Sequence, residues 1–378
     1  MLAGGTTLIV YSVGLAEGNY AQMIDLATRT YTGHVQVLAE GYHDKPSLFR
    51  TVPDPDAAIA QLQKMPGIAA VTRRVETAGL LASGNRTTGA AIVAMEPAAE
   101  AKVSTVPGWV KDGAWLPAGE LGPGDPLPIV LGKGVAQRLK VGLGDEVSFV
   151  GQAADGSIAA ELFSVHGLVR SGADEMDANM AFIRLSDAQE LLSLGERVHR
   201  VVAVFHDRRD IALPTVGIGA TAMAWEELMP DMASAIESDR GGLRVFLIVL
   251  LIMVVLGVAN TLMMSVFERT REYGLMLALG ASAGHVLAIT VYEAVWLCLI
   301  GVGGGVVMGD LLTVYLPMSL PEPMEFGGIV MQHMQGAINI QSTLIFPLMV
   351  FVAGVLASLP PAIRAARLSP VEALRRGA

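Results

Sequence analysis

Three runs of apolar residues decide what this chain can become. Residues 245–266 carry no charge over 22 positions, residues 286–309 carry only Glu293 over 24, and residues 343–363 carry none over 21. A bilayer core of roughly 30 Å needs about 20 consecutive apolar helical residues, so each run predicts a membrane-spanning helix. A fourth run, residues 1–15, is uncharged but would reach only about 22 Å as a helix. A signal peptide would open on basic residues and close on a small-residue cleavage site, yet no Lys or Arg precedes Arg29. We expect an incomplete first membrane helix over residues 1–16 whose cytoplasmic start is missing from this sequence. A signal peptide and a soluble helix are the other readings of the same residues.

Composition agrees with a membrane protein. Of the 378 residues 52% are hydrophobic and 16% charged, against about 25% charged in ordinary soluble domains. An ordinary soluble enzyme of two or three domains is thereby excluded. The net charge of −10 argues against a nucleic-acid binder, which would present a clustered positive surface. With the single cysteine Cys298, one chain can build neither a disulfide framework nor a cysteine metal site. Cys298 itself is expected to be a packing residue.

Residues 17–242 form a 226-residue insertion between the first apolar run and the second. They hold 29 acidic and 19 basic residues, so the whole net charge of the chain belongs to this segment. Runs at 34–38, 71–81, 87–95, 146–150, 163–169 and 201–205 read as strands bounded by Gly and Pro. Residues 55–65 and 186–194 read as helices, the second opening on a Ser186-Asp187 cap signal. Residues 119–128 read as a connector. The expected fold is therefore four transmembrane α-helices, the first incomplete, with a large α+β extracytoplasmic domain between helices 1 and 2. No internal repeat is evident.

Short-loop charge sets the orientation, because Lys and Arg are retained on the cytoplasmic side. Arg269 and Arg271 follow the second helix, and Arg364, Arg367, Arg375 and Arg376 follow the last, while residues 317–341 have no Lys or Arg. The loop after helix 2 and the C-terminus are expected in the cytoplasm, the 226-residue domain outside. Arg244, at the outer end of helix 2, runs against the trend.

The segment 265–282 places Glu268, Arg269, Arg271 and Glu272 before the apolar run Leu275, Met276, Leu277, Ala278, Leu279, and closes at Gly280. This pattern predicts a short amphipathic helix with a glycine stop lying near the cytoplasmic surface. An interfacial loop anchored by arginines is the plainer reading. Pro360-Pro361 should kink or end the last membrane helix. Beyond it, Ser369-Pro370-Val371-Glu372 reads as a capping-box start and Arg375-Arg376-Gly377 as a helix end, or the tail is simply a positively charged anchor.

These residues resemble the FtsX-like permease family of ABC transporters, also called the MacB or type VII superfamily. The resemblance is carried by ERTREYGLMLALGAS at 268–282, by the Glu293-containing third helix, by PAIRAARLSPVEALR at 361–375, and by the order of one helix, a large external domain and three helices. Residues 23–48 further resemble the start of the external domain in the LolC/LolE group, which extracts lipoproteins from the inner membrane. Family members normally begin with a basic amphipathic helix and a full first membrane helix, which this sequence lacks.

The resemblance implies a division into residues 1–16 (helix 1), 17–242 (MacB-like periplasmic core domain) and 243–378 (FtsX-like permease region). It implies a coupling helix at 268–282 docking on a separate ABC ATPase subunit through Glu268, Arg269, Arg271, Glu272, Gly274, Leu275 and Leu279. It also implies a second permease, identical or related, lipid contact, lipoprotein cargo and an inner-membrane location. Motion rather than chemistry would be the output, with no cofactor bound by this chain and ATP bound by its partner. Efflux of a small molecule or peptide with a periplasmic adaptor, regulation of a cell-wall hydrolase, and an external catalytic domain are the alternatives.

No catalytic signature stands out beside this. Leu131-Gly132-Lys133-Gly134 lacks the preceding glycine and the following Ser or Thr of a phosphate cradle. The seven histidines show no metal-ligand spacing, and there is no nucleophile elbow. Glu293, ionisable inside an apolar run, is a functional candidate by default, or a structural group reaching the interface or a neighbouring helix. Asp310 is expected to be solvated. Gly303-Gly304-Gly305 with Gly301 and Gly309 should permit close helix packing.

Overall fold

In the computed structural model, residues 1–122, 124–206, 213–326 and 329–369 are described. The chain forms two compact units. One comprises Met1–Gln22, Ala235–Glu322 and Gln332–Ala378, the other Met23–Ser234 with Pro323–Met331.

The first unit is helical. Its elements are α1 (Leu2–Ala27), which runs on past Glu17, and then, after six helices of the other unit, α8 (Pro230–Glu268), α9 (Thr270–Ala278), α10 (Ala283–Tyr315), α11 (Phe346–Ala357) and α12 (Leu359–Ala366). Among the described residues three helices are long and apolar enough to cross a membrane: Pro230–Glu268, Ala283–Tyr315 and Gln341–Ala366. The expected fourth is not among them, because the apolar run of α1 stops at Glu17 and its later turns carry Asp25. Its apolar side nonetheless packs in the bundle, where Ile9 and Val13 share a core with Leu247, Val254, Val302 and Val350. The 39 residues of α8 extend roughly 58 Å, well beyond a bilayer core, and the surplus is its polar first part. The diproline breaks the last helix as expected: α11 ends at Ala357, and Ser358 donates its hydroxyl to Val355 O (2.6 Å) before α12 restarts with proline in its first turn. The tail elements expected from Pro370 onward lie outside the described residues.

The second unit is α+β. Its strands are β1 (Val35–Ala39), β2 (Ile68–Ser83), β3 (Arg86–Met95), β4 (Val110–Gly113), β5 (Leu127–Gly132), β6 (Glu146–Gln152), β7 (Ile158–Val169), β8 (Met180–Arg184), β9 (Arg200–Phe205) and β10 (Ala220–Ala224). The helices α2 (Pro55–Gln63), α3 (Pro97–Val103), α4 (Lys133–Leu139), α5 (Asp174–Asn179), α6 (Leu185–Leu191) and α7 (Trp225–Leu228) lie among them. A further strand pair, β11 (Met318–Phe326) and β12 (Ile329–Met334), follows α10.

The strand order β10-β1-β9-β2-β3-β8-β5-β7-β4 is closed on itself by β6, which pairs with both β2 and β7. Strands β2, β3, β8, β5, β7 and β6 thus complete a six-stranded ring, while β9, β1 and β10 extend the sheet from the same long β2. Side chains alternate across a strand, so the ring has a filled inside and an outer wall. Inside lie Leu81, Ile92, Ile129, Val147, Phe149 and Phe163, all essentially inaccessible. One end of the outer wall is covered by Val106 and Leu116, which pack over Val93, Met95, Val130, Val169 and Phe182.

Candidate functional site

Helix α8 stops at Glu268, Arg269 leaves the helical geometry (φ −97°, ψ 13°), and α9 follows at once. The C-terminal end of α9 is closed by Gly280 at φ +98°, a left-handed conformation that favours glycine. The N–H of Gly280 bonds to Leu277 O (3.2 Å) and that of Ala281 to Met276 O (3.0 Å), and Ser282 then caps α10 by accepting from the N–H of His285 (3.2 Å). The amphipathic helix and glycine stop read from the sequence are both present.

The two faces of α9 do different jobs. Tyr273 is buried beside Val266, Val286 and Ala365, so the element is packed at once on the end of α8, the start of α10 and α12. Gly274 is buried as well. Pointing away are Glu268, Arg271 and Glu272, with Leu275 52% and Leu279 80% exposed. Five of the seven residues expected to contact an ATPase therefore share an open face, and Gly274 does not. Arg269 is also diverted: its Nη1 lies 3.2 Å from both carboxylate oxygens of Glu293. The ionisable residue in α10 is held by a partner from the α8–α9 junction.

Deeper in this unit, the glycines of α10 divide by face. A Cβ on Gly301 would meet Leu2 at 2.7 Å, on Gly305 Thr6 at 2.5 Å, and on Gly309 Val10 at 2.6 Å, whereas Gly303 and Gly304 face open space. The four-residue spacing makes a groove into which α1 fits, and Thr7 donates its hydroxyl across it to Gly305 O (3.2 Å). Buried Cys298 packs against Gly354 of α11, as a Cβ there would lie 2.9 Å from its Sγ. Asp310, half-buried, accepts from the Thr343 hydroxyl (3.2 and 3.4 Å). Between α1, α8 and α11 run two adjoining cavities of about 390 and 240 Å³, which share Arg244, Leu247, Phe346 and Met349. The smaller is further lined by Ile9, Ile248, Leu251 and Val350, and the larger by Glu17 and Arg240.

In the α+β unit, α1 passes into a π-helical turn (Thr28–Thr32) that ends at Gly33, φ +72°. A Cβ at Gly33 would come within 2.4 Å of Val202, so only glycine lets the chain enter β1 here. This turn is fixed to the sheet by buried charge. Arg74 on β2 and Glu100 on α3 are both fully buried and meet twice, at 2.5 and 3.1 Å. Arg74 also donates to the carbonyl of Tyr31 in the turn and lies under its ring, 4.4 Å from the centroid. The Tyr31 hydroxyl donates to Glu76, which further accepts from Tyr42 (3.0 Å) and lies 2.7 Å from Nε of Arg200 on β9. Burial would push the Glu76 carboxyl up, but Arg200 and the two tyrosine hydroxyls hold it below its ordinary range. His199 accepts at Nδ1 from the Glu76 N–H (2.9 Å) and stacks on Tyr42, and burial pushes its imidazole down.

Sequence reasoning missed this network. Arg74 and Glu76 alternate along a strand as surface charges would, and only their burial reveals them. Reasoning also misassigned the start of α6: Ser186 and Asp187 do not cap it, because Asp187 takes the Arg184 guanidinium at both oxygens (2.8 and 2.5 Å). Close by, a cavity of about 700 Å³ is lined by Glu96, Glu120, Asp125, Asp187 and Glu190, with Arg184 tied up in that pair. Gly132 and Gly134 are packing residues, since a Cβ on either would strike the backbone of Asp177 or Ala178.

Comparison with known proteins matches the chain to two family models. Residues 2–213 match the MacB-like periplasmic core domain and residues 244–370 the FtsX-like permease C-terminal region. The lipoprotein-releasing system transmembrane protein LolC of Xylella fastidiosa (strain 9a5c) is 24% identical across 99% of this chain and 92% of its own length. LolC of Neisseria meningitidis serogroup B is 26% identical over 65% of this chain and 61% of its own. The macrolide export ATP-binding/permease protein MacB of Escherichia coli (strain K12) is 29% identical over 52% of this chain but 28% of its own length. With a family model covering more than half of its residues, the chain belongs to the FtsX/MacB (type VII) family of ABC-transporter permeases, a membrane protein with a MacB-like periplasmic core domain and an FtsX-like permease region.

Proposed function

We propose that the chain is the inner-membrane permease subunit of an ABC transporter for lipoprotein release, driven by a separate ATPase and paired with a second permease. The observation that carries the coupling role is α9: a short helix whose free face presents Arg271, Glu272 and Leu275, flanked by exposed Glu268 and Leu279, and whose other face is locked onto α8, α10 and α12. An element of this shape delivers a push to three helices together. In this reading α9 and the C-terminus are cytoplasmic, the α+β domain is periplasmic, and α1 completes a four-helix membrane region. Glu268, Arg271, Glu272, Leu275 and Leu279 contact the ATPase, while Arg269 and Glu293 hold the angle between α8 and α10.

Lipoprotein cargo is supported by the LolC relative, which spans nearly the whole of both chains, whereas the MacB match stops at about half of this one. The adjoining cavities beside α1, α8 and α11, with Arg244 and Arg240 among apolar lining residues, suit an amphiphile. Reversing Arg271→Glu and Glu272→Arg together should abolish stimulation of the ATPase by the permease while insertion in the membrane is unaffected. Undiminished stimulation would remove α9 from the role. For cargo, mass spectrometry of material co-purified from membranes should find triacylated lipoprotein, and a small hydrophobic drug found in its place would move the reading to efflux.

A further inference from the structure

Where four strands of the ring meet, its outer wall carries no charge. The outward positions of residues 78–82, 87–91, 148–152 and 158–162 are Ala, Leu, Thr, Gly, Ser, Val, Gln or Ile. They form one continuous surface by register: Leu80 lies opposite Gly89 on one side and Val150 on the other, Val150 opposite Ala160, and Leu162 opposite Ser148. An antiparallel face turned to water is ordinarily polar. Here Leu80, Val150, Ile158 and Leu162 are 44% to 79% exposed. The chain's own Val106 and Leu116 cover the other end of this wall, but among the described residues nothing covers this end.

We infer that this wall is the docking surface for the external domain of a second copy of this chain, met wall to wall about a twofold axis. The inference rests on the reading of the chain as one half of a permease dimer. Charge selects the occupant. The domain carries 29 acidic against 19 basic residues, so two copies repel wherever they present their ordinary surface. A basic partner would be drawn to that acidic surface, whereas an equally acidic copy can approach closely only where there is no charge. Shape agrees, because the ridge of Leu80, Val150 and Leu162 stands beside a floor of Gly89 and alanines, and a Cβ on Gly89 would meet open space. A twofold axis through the Leu80–Val150 pair brings these two side chains of each copy against their counterparts and sets the rest of each ridge over the floor of the other. The patch is on the scale of roughly 400 Å², the size at which exposed apolar surface marks an interaction site. Two such patches bury roughly 800 Å² in total, short of the 1,200 Å² of stable free-standing complexes. The contact is therefore weak by itself and forms once the membrane helices and ATPases hold two copies together, which makes it effectively intramolecular.

The test uses the full chain with its ATPase in native membranes, in a Cys298→Ser background. On mild oxidation, Leu80→Cys should shift from monomer to dimer mass, a Lys45→Cys control should not, and adding Val150→Glu, which sets two carboxylates against each other at the axis, should abolish the shift. Circular dichroism of the purified variants checks that the exposed substitutions leave the fold intact. A complex with two permease copies by native mass spectrometry but no Leu80→Cys dimer overturns the inference and leaves the dimeric permease standing. A Leu80→Cys adduct of any other mass also overturns it. A complex holding one copy of this chain overturns the homodimer itself.

Discussion

The buried pair of Arg74 and Glu100 provides a sharp test of how the α+β domain is held. Both side chains are inaccessible to solvent, and two hydrogen bonds of 2.5 and 3.1 Å join them. Replacing Arg74 by Met keeps the volume but leaves the Glu100 carboxylate in a site with no cation, a loss of about 3–5 kcal/mol for breaking a buried pair. For a domain of this size 1 kcal/mol moves the unfolding midpoint by about 2–4 °C, so the expected fall is about 6–20 °C. Removing both charges, as in Arg74→Met with Glu100→Leu, should recover most of that fall, because no charge then remains in the interior. Thermal unfolding of the full chain in detergent, followed by tryptophan fluorescence, reports on this domain because Trp109, Trp115 and Trp225 lie in it and only Trp296 lies elsewhere. A fall below about 2 °C for the single variant, or a double variant no more stable than the single, would refute the account.

Acidification should weaken the same domain in two stages. His199 is held below its ordinary value of 6.5, so below that pH the unfolded chain takes up a proton that the folded chain refuses; stability is full above this range and is lost as the pH drops through it. Glu76, held below its ordinary 4.5, adds a second loss of the same sign beneath that pH, and a midpoint unchanged between pH 7 and pH 4 would contradict both assignments. In the helical unit, Gly305→Ala should destabilise by about 1–3 kcal/mol through overpacking against Thr6 while Gly303→Ala is neutral, as compared by thermal stability in detergent; equal effects would sink the α1–α10 packing. For Arg269 and Glu293, 48% and 31% exposed, Glu293→Gln should lower stability by no more than about 1 kcal/mol. Arg269→Gln, Glu293→Gln and the double variant should lose the same fraction of ATPase stimulation, and additive losses would show that the two residues act separately.

What could be read in the sequence was what repeats along it. The apolar runs, the alternation of β2, β3, β6, β7 and β9, and the glycine stop at Gly280 are periodic or local, and the structure contains each. Strands β5, β8 and β10 escaped because they are five or six residues long and hemmed by turns or short helices. Closure of the ring escaped for a different reason: β6 joins β2 and β7 through contacts that no local pattern encodes. The same holds for function. The open face of α9 follows from helical spacing, whereas the diversion of Arg269 to Glu293 depends on two residues 24 positions apart.

Geometry that only the folded chain displays also joins the two ends of the domain. Helix α1 ends in the turn Thr28–Thr32 and hands over to β1, and β10 hands over through α7 to α8. Strands β1 and β10 are direct antiparallel neighbours, with Val35 opposite Ala224. The N–H of Trp225 bonds to His34 O (3.0 Å), and the Thr32 hydroxyl lies 3.4 Å from the Met229 sulfur. Both helical connections are thus tied to one strand pair at the edge of the sheet. The next strands inward, β9 and β2, bring Arg200, Arg74 and Glu76 to Tyr31 in the α1 turn. Packed interiors and satisfied buried charges resist continuous deformation. The buried charges of Arg74, Glu76 and Arg200 thus tie the α1 turn to the two strands next to the edge pair, a tie that no spacing along the sequence announces.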